Sequence, residues 1–159
     1  MNNMKLRTLL LVFIFSLIVT ASSQTSSKTE SGIFDAELAK KVGADDYGMK
    51  NYVLVILKTG PKKVPEGKER ADMFAGHFAN MKRLAGEGKL ALAGPLDGVD
   101  GWRGVFVLAV SDIEEAKKIV ATDPVIIKGE MVAEYHKWFA SAAMMLVNEA
   151  HYKVAKKSF

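Results

Sequence analysis

The sequence contains no cysteine, which removes several classes of chemistry and stabilisation at once. A chain without thiols forms no disulfides, binds no metal through thiolates and carries no lipid on a cysteine. The fold must therefore be held together by packing alone, even in an oxidising compartment. With 159 residues, of which 49% are hydrophobic, the chain is long enough for one domain with a real core but hardly for two.

The sequence also lacks the patterns that hold metals, nucleotides and nucleic acids. Its three histidines, His77, His136 and His151, have neither HExxH nor His-x-His spacing, so no metal site is expected. There is no glycine-rich phosphate-binding loop, so no external cofactor is implied. Basic residues are not concentrated on one predicted face, which argues against a nucleic-acid partner.

Residues 1–23 have the pattern of a secretory signal peptide. Lys5 and Arg7 precede an apolar run at residues 9–20, and small residues follow at 21–23. A transmembrane anchor is the alternative, but the run is short for a bilayer-spanning helix and has a polar exit. We therefore expect cleavage, no stable membrane anchor and a secreted or periplasmic protein. Losing two basic residues would lower the formal net charge from +4 to +2.

The rest of the chain divides into three parts by composition. Residues 24–48 are typical of a linker followed by a short helix, and residues 140–159 of a helical extension. Between them, residues 49–139 predict strand, helix, strand, strand, helix and strand, at 51–58, 68–86, 89–93, 105–110, 112–121 and 131–139. A capping box of Ser111 and Glu114 is expected to start the second helix. This order is that of a ferredoxin-like βαββαβ fold of the α+β class, in which two helices cover one face of a four-stranded antiparallel sheet.

The face of the sheet without helices is expected to be apolar as well. The first strand is apolar at both sets of alternating positions, which are Val53, Val55 and Leu57 on one face and Tyr52, Leu54 and Ile56 on the other. A second copy packed sheet to sheet is the simplest cover for such a face. The sequence therefore predicts a homodimer.

His77 and Asp123 are the candidate catalytic residues. His77 lies within the apolar arc of the first long helix, where a half-buried imidazole would suit a general base or acid near neutral pH. A packing histidine bonded to a backbone carbonyl fits the same position. Asp123 directly precedes Pro124, which is the pattern of a helix N-cap. The two helices of a ferredoxin-like fold are neighbours, so Asp123 is also placed to orient or charge His77.

Five further residues are candidates for ligand binding, namely Gly94, Pro95, Asp97, Trp102 and Arg103. Gly94 and Pro95 end a strand and would shape a pocket wall or simply make a turn. Asp97, in a glycine-rich loop, would supply a carboxylate to a pocket, bind a cation or belong to a solvated hairpin. Trp102 and Arg103 open the third strand, where a ring and a cation suit an anionic aromatic ligand but also an ordinary strand-edge anchor.

Two segments and the fourth strand carry a resemblance to a known family. The segments are GHFANMKRLAGEGKLALAGPL at 76–96 and GVFVLAVSDIEEAKKIVATDPVIIKGEM at 104–131, and the fourth strand ends near Trp138. Through these segments, residues 49–139 resemble the YciI-related (YCII) family of small dimeric α/β-barrel proteins. The resemblance implies a ferredoxin-like fold, dimerisation and a pocket that uses the helix histidine, here His77, and an aspartate. A few relatives with this domain are associated with dehydrochlorination of chlorinated hydroxyquinols, but the extra segments of this chain argue against carrying a substrate over.

Two hypotheses of function follow. In the first, an exported protein binds a small organic molecule and catalyses a proton transfer, in an elimination or isomerisation, with His77 as base and Asp123 as its orienter. In the second, the protein is a non-catalytic binding or assembly module, in which His77 is structural and the apolar sheet face serves only association.

Overall fold

A computed structural model describes residues 33–157 of the chain. The predicted signal peptide and most of the predicted linker lie outside the described residues, as do residues 158 and 159. Within the described range the elements are α1 Ala36–Val42, β1 Met49–Thr59, α2 Lys68–Gly86, β2 Leu90–Pro95, β3 Trp102–Leu108, α3 Ile113–Val120, α4 Pro124–Ile127, β4 Met131–Ser141 and α5 Val147–Val154. Short 3₁₀ turns are present at Val99–Gly101 and Ala142–Leu146. No helix in this range is long and apolar enough to cross a membrane.

The four strands form one antiparallel sheet in the order β2-β3-β1-β4. β1 lies inside the sheet, where Val55 pairs with Phe106 of β3 on one side and with Tyr135 of β4 on the other. The main core forms between one face of this sheet and residues of α2, α3 and α4, among them Leu84, Ile119 and Val125. This arrangement confirms the predicted ferredoxin-like α+β fold.

α2 begins and ends where the sequence predicts. Its buried residues recur every three or four positions, so they lie along one side of the helix: Met73, His77, Asn80 and Leu84. Gly88 follows the helix with a φ of 68°, a left-handed conformation that costs glycine little. The chain reverses there and enters β2, which places the buried side of α2 against the sheet.

The sequence predicts the N-cap of α4 correctly but not the N-cap of α3. The N-cap of α3 is Asp112, whose carboxylate accepts from the N–H of Glu115 at 3.2 Å. The expected Ser111–Glu114 capping box is therefore wrong, because both of its residues lie one position too early for a helix that starts at Ile113. Asp123, by contrast, is the N-cap of α4, with proline as the first helical residue.

The C-terminal segment packs on the second face of the sheet, the face without α2 and α3. Met144 and Met145 of the 3₁₀ turn pack against a buried cluster of Tyr52, Ala91 and Val107. Part of the face that was expected to need a second copy is thus covered by the chain itself. Several large apolar side chains on the strands of this face remain exposed, and we call them the uncovered patch: Leu92, Trp102, Val132 and Trp138.

Candidate active site

His77 is held between aromatic rings on the side of α2 that faces the sheet. Its imidazole stacks on Phe106 of β3, with the ring centroids 5.8 Å apart and 22° between the planes. Two further rings of α2, Phe74 and Phe78, lie 6.3 and 5.5 Å from it, centroid to centroid. These contacts orient the imidazole and leave its side chain 10% exposed.

Asp123 brings a buried carboxylate to one nitrogen of this ring. Both carboxylate oxygens lie 2.9 Å from Nδ1 of His77, and the residue has no exposed surface. Oδ1 also accepts from the N–H of Val125 at 3.1 Å, and Oδ2 from Nδ2 of Asn80 at 3.2 Å. An ionised carboxylate accepts but does not donate, so this geometry favours the tautomer with the proton on Nδ1. The capping role and the contact with His77 hold together, and the predicted pair is adjacent in the fold.

The other ring nitrogen, Nε2, reaches the surface. It makes no hydrogen bond within the described part of the chain. Every buried side-chain nitrogen or oxygen there has a partner, so Nε2 belongs to the exposed part of the side chain. With the proton on Nδ1, Nε2 has a lone pair that can accept a proton from a bound molecule.

Asn80 supports the pair and was missed in the sequence. Its Oδ1 accepts from the guanidinium of Arg83 at 2.7 Å, which fixes the amide so that Nδ2 points to Asp123. The available signal was its spacing, because a residue three positions after His77 lies on the same side of an α-helix. Spacing alone does not distinguish a supporting amide from a solvated one, and Asn80 is in fact buried.

A second buried carboxylate, Glu130, lies beside the first turn of α2. It accepts from the N–H of Val64 and from the guanidinium of Arg70, both at 2.7 Å, and is 3% exposed. Burial alone would raise its pKa, but these two hydrogen bonds and the charges of Arg70 and Arg103 lower the pKa below the ordinary value. Neither Glu130 nor Arg70 was predicted, because a charged residue before a strand usually belongs to a solvated turn.

This carboxylate links the predicted residue Arg103 to the aromatic rings around His77. The guanidinium of Arg103 lies 3.9 Å from Oε1 of Glu130, the same oxygen that Arg70 contacts. The guanidinium of Arg70 in turn lies 5.0 Å from the centre of the Phe74 ring. Phe74 is one of the rings against the imidazole.

Gly94 and Pro95 lie at the end of β2, where they pair with the start of β3. A side chain at Gly104, opposite Pro95, would bring its Cβ to 3.1 Å from the carbonyl oxygen of Gly94. Gly104 precedes Phe106 by two residues, so it lies on the same face about 7 Å along the strand. The end of β2 therefore adjoins the surface on which His77 stacks.

Asp97 and Trp102 lie apart from the pair. Asp97 accepts from the N–H of Val99 at 3.1 Å within its own exposed loop. Trp102 pairs with Lys58. Lys58 lies on the second face of the sheet, because it alternates along β1 with Leu54 and Ile56. No hydrogen bond or ring contact joins either residue to His77 or Asp123 in the described part of the chain.

Residues 51–138 match the family model of the YCII-related domain. This chain belongs to the YCII-related domain family. A relative, the uncharacterized protein YjpA of Bacillus subtilis (strain 168), is 27% identical over 90 residues, which are 57% of this chain and 95% of the relative. The family predicted from the sequence is thereby confirmed.

The YCII match contains the whole candidate site. His77, Asp123, Glu130 and Arg103 all lie within the matched residues, whereas α1 and the segment that covers the second face lie outside them. In this chain the candidate site therefore lies inside the matched domain, and the covering segment lies outside it. Chemically, the domain offers an oriented imidazole with a buried carboxylate behind it and an open nitrogen in front.

Proposed function

We propose that this YCII protein binds a small organic molecule at Nε2 of His77 and catalyses a proton transfer, in an elimination or an isomerisation. The observation that carries the proposal is the bonding of Nδ1 to a fully buried carboxylate while Nε2 stays open. An imidazole with one nitrogen fixed and the other accessible is the usual arrangement of a histidine base.

The reaction would use the two ring nitrogens in different ways. Nε2 takes a proton from a carbon of the substrate, and the imidazole becomes a cation. Asp123, held by Asn80 and Val125, stabilises this cation and keeps the ring in place. In an elimination the electron pair expels a leaving group, and in an isomerisation the proton returns from Nε2 to another carbon.

The resting tautomer of His77 is the first test. Long-range ¹H–¹⁵N NMR on residues 24–159 is expected to show the proton on Nδ1 in the wild-type chain. In Asp123→Asn one of the two oxygens beside Nδ1 becomes an NH₂ group, so the fraction of His77 with its proton on Nε2 should rise. A wild-type proton on Nε2 would contradict the proposed base.

The second test asks whether the open nitrogen matters for chemistry. Phenols and small organic acids are to be screened for turnover with wild type, His77→Gln and His136→Gln. His136 is the matched control because it is an exposed histidine bonded to Glu134. Loss of turnover in His77→Gln alone supports the proposal. A His77→Gln variant that is unstable but still binds its ligand points to a packing role.

A non-catalytic binding or assembly module is the second candidate, and the uncovered patch favours it. Large apolar side chains on a sheet face are typical of association surfaces. We propose that two copies pack through this patch, whichever candidate holds. The module hypothesis and the proton-transfer proposal predict different results for His77→Gln. If the protein is a non-catalytic module, this variant still binds its ligand.

Export is a further part of the proposal and rests on the pattern of residues 1–23. Intact-mass measurement of protein recovered from outside the cytoplasm is expected to give a chain that begins near Gln24. Recovery of the uncleaved chain from the cytoplasm would contradict export.

A further inference from the structure

Two arginines converge on one oxygen of Glu130, and their bonding is unequal. The guanidinium of Arg70 already has several partners. It donates to Glu130 at 2.7 Å and to the carbonyl of Val64 at 3.0 Å, and it forms an ion pair with Glu66 at 3.3 Å. Its side chain is 16% exposed. Among the described residues, 33–157, the side chain of Arg103 makes only the 3.9 Å ion pair, and it is 31% exposed.

Arg103 is therefore the member of this cluster with donors to spare. A guanidinium has five N–H groups in a planar fork that matches a carboxylate. The distance of 3.9 Å from Glu130 is beyond hydrogen-bond length, so the carboxylate neutralises part of the charge without using the fork. Partial burial strengthens any charge-assisted bond that the free donors make.

The position of Arg103 on β3 relates it to His77. The register between β1 and β3 shifts at Arg103: Trp102 pairs with Lys58 and Gly104 with Leu57. Gly104 lies on the helix face, where Phe106 beneath the imidazole comes two residues later. The ring of Phe74 is close to both the guanidinium of Arg70 and the imidazole. Phe78 adds a ring next to His77 that is 50% exposed.

We propose that Arg103 binds the anionic group of the molecule on which His77 acts. The substrate is then a small organic carboxylate whose apolar or aromatic body lies along Phe74 and Phe78, with the reacting carbon at Nε2. This inference rests on the proposed function and names the substrate class for it. Glu130 and Arg70 hold Arg103 and its surroundings but do not contact the substrate.

Benzoate and benzamide are matched probes for this subsite, because they share a ring and differ in charge. We would titrate each into residues 24–159 at constant ionic strength and follow the Arg103 Nε–H and the His77 ring by NMR. Benzoate is expected to shift both signals. Benzamide is expected to bind at least about tenfold more weakly than benzoate, because it cannot form the charge-assisted hydrogen bond.

Three variants locate the effect. Arg103→Gln should weaken benzoate binding about tenfold or more, and Arg103→Lys should weaken it less because it keeps the charge without the fork. Lys117→Gln, which removes an exposed cation of α3, should change nothing. The N–H signal of Val64, which reports the bond to Glu130, should persist in Arg103→Gln and so show that the fold is intact.

The outcomes separate this inference from the function on which it rests. Equal binding of benzamide, no shift of Arg103 on adding benzoate, or unchanged affinity in Arg103→Gln each overturns the anion subsite. None of these results alters the tautomer of His77, which tests the proton-transfer proposal by itself. If wild type has its proton on Nε2 and benzoate still binds through Arg103, the anion subsite is supported and the proposed base is not.

Discussion

The two buried carboxylates of this domain have different partners. Asp123 faces an imidazole, a backbone N–H and an amide, so its bonds fix the direction of one ring. Glu130 faces a backbone N–H and a guanidinium, so its bonds join the loop before α2 to the turn before β4. A buried carboxylate is stable only when its oxygens are bonded in this way. The first therefore prepares a reactive group, and the second holds elements together.

Replacing Glu130 with glutamine is expected to lower stability at neutral pH and to reduce its dependence on acid. In the folded chain the pKa of Glu130 is lowered from 4.5: burial opposes this, but the bonds from Val64 and Arg70 outweigh it. Ionised Glu130 therefore stabilises the fold above pH 4.5, and this contribution is lost as pH falls through the lowered folded pKa. Glutamine removes the buried counter-charge of Arg70 and leaves its pair with the exposed Glu66, which we expect to cost about 3 kcal/mol at neutral pH.

Urea unfolding between neutral pH and about pH 3 measures this difference. The gap between wild type and Glu130→Gln should narrow below pH 4.5, since the carboxylate is then protonated in the unfolded chain before it is protonated in the folded one. Glu115→Gln, at an exposed position on α3, serves as the control and should change little at any pH. A gap of constant size over the whole range would show that Glu130 acts through shape rather than charge.

At the scale of elements, the contact between α2 and α4 sets the geometry of the candidate pair. A Cβ added at Gly76 of α2 would lie 2.9 Å from Cγ of Pro124, so the two helices meet where one of them has no side chain. Asp123 directly precedes this proline and caps its helix. The separation of α2 and α4 therefore determines how far Asp123 lies from His77.

Gly76→Ala is expected to push α4 away and lengthen the contact between His77 and Asp123. Overpacking should cost more than the helix propensity that alanine gains, for a net loss of about 1 kcal/mol. Gly86→Ala is the matched control, because no atom lies within 4 Å of a Cβ there. That variant should gain up to about 1 kcal/mol in urea unfolding and leave the NMR signals of His77 unchanged. Stabilisation of Gly76→Ala to the same degree would contradict a tight helix contact.

The elements also show what local sequence can predict. α2 and the order of the strands follow from periodicity and glycine stops, which are local signals. The contact of His77 with Asp123 spans 46 residues, and it could be predicted only because the topology makes the two helices neighbours. The pairing of Arg70 with Glu130 spans 60 residues and has no such rule behind it. The failure at α3 has another cause, since Ser111 and Asp112 are both good caps and the start of the helix decides between them.

For the whole molecule, the second sheet face is divided between a part that the chain covers itself and a part that it leaves exposed. The covering segment lies outside residues 51–138, which match the YCII-related domain. Met144 and Met145 cover the buried cluster at the start of β2, and Asn148 donates to the carbonyl of Leu90 at 2.7 Å. The proposed second copy is then expected to pack on the uncovered patch, so the expected interface is smaller than the full face.

Self-association through that patch is expected to be lost when a charge is placed within it. Sedimentation velocity on residues 24–159 should show a dimer for wild type and a monomer for Leu92→Lys or Val132→Lys, because a lysine would be desolvated at the interface. Leu92 is 37% and Val132 44% exposed in the single chain, so both changes should leave the fold intact. Ile127→Lys is the control, since Ile127 is 66% exposed on α4 and lies outside the patch. If wild type is a monomer at all concentrations, or if Ile127→Lys dissociates the dimer equally well, two copies do not pack through the uncovered patch.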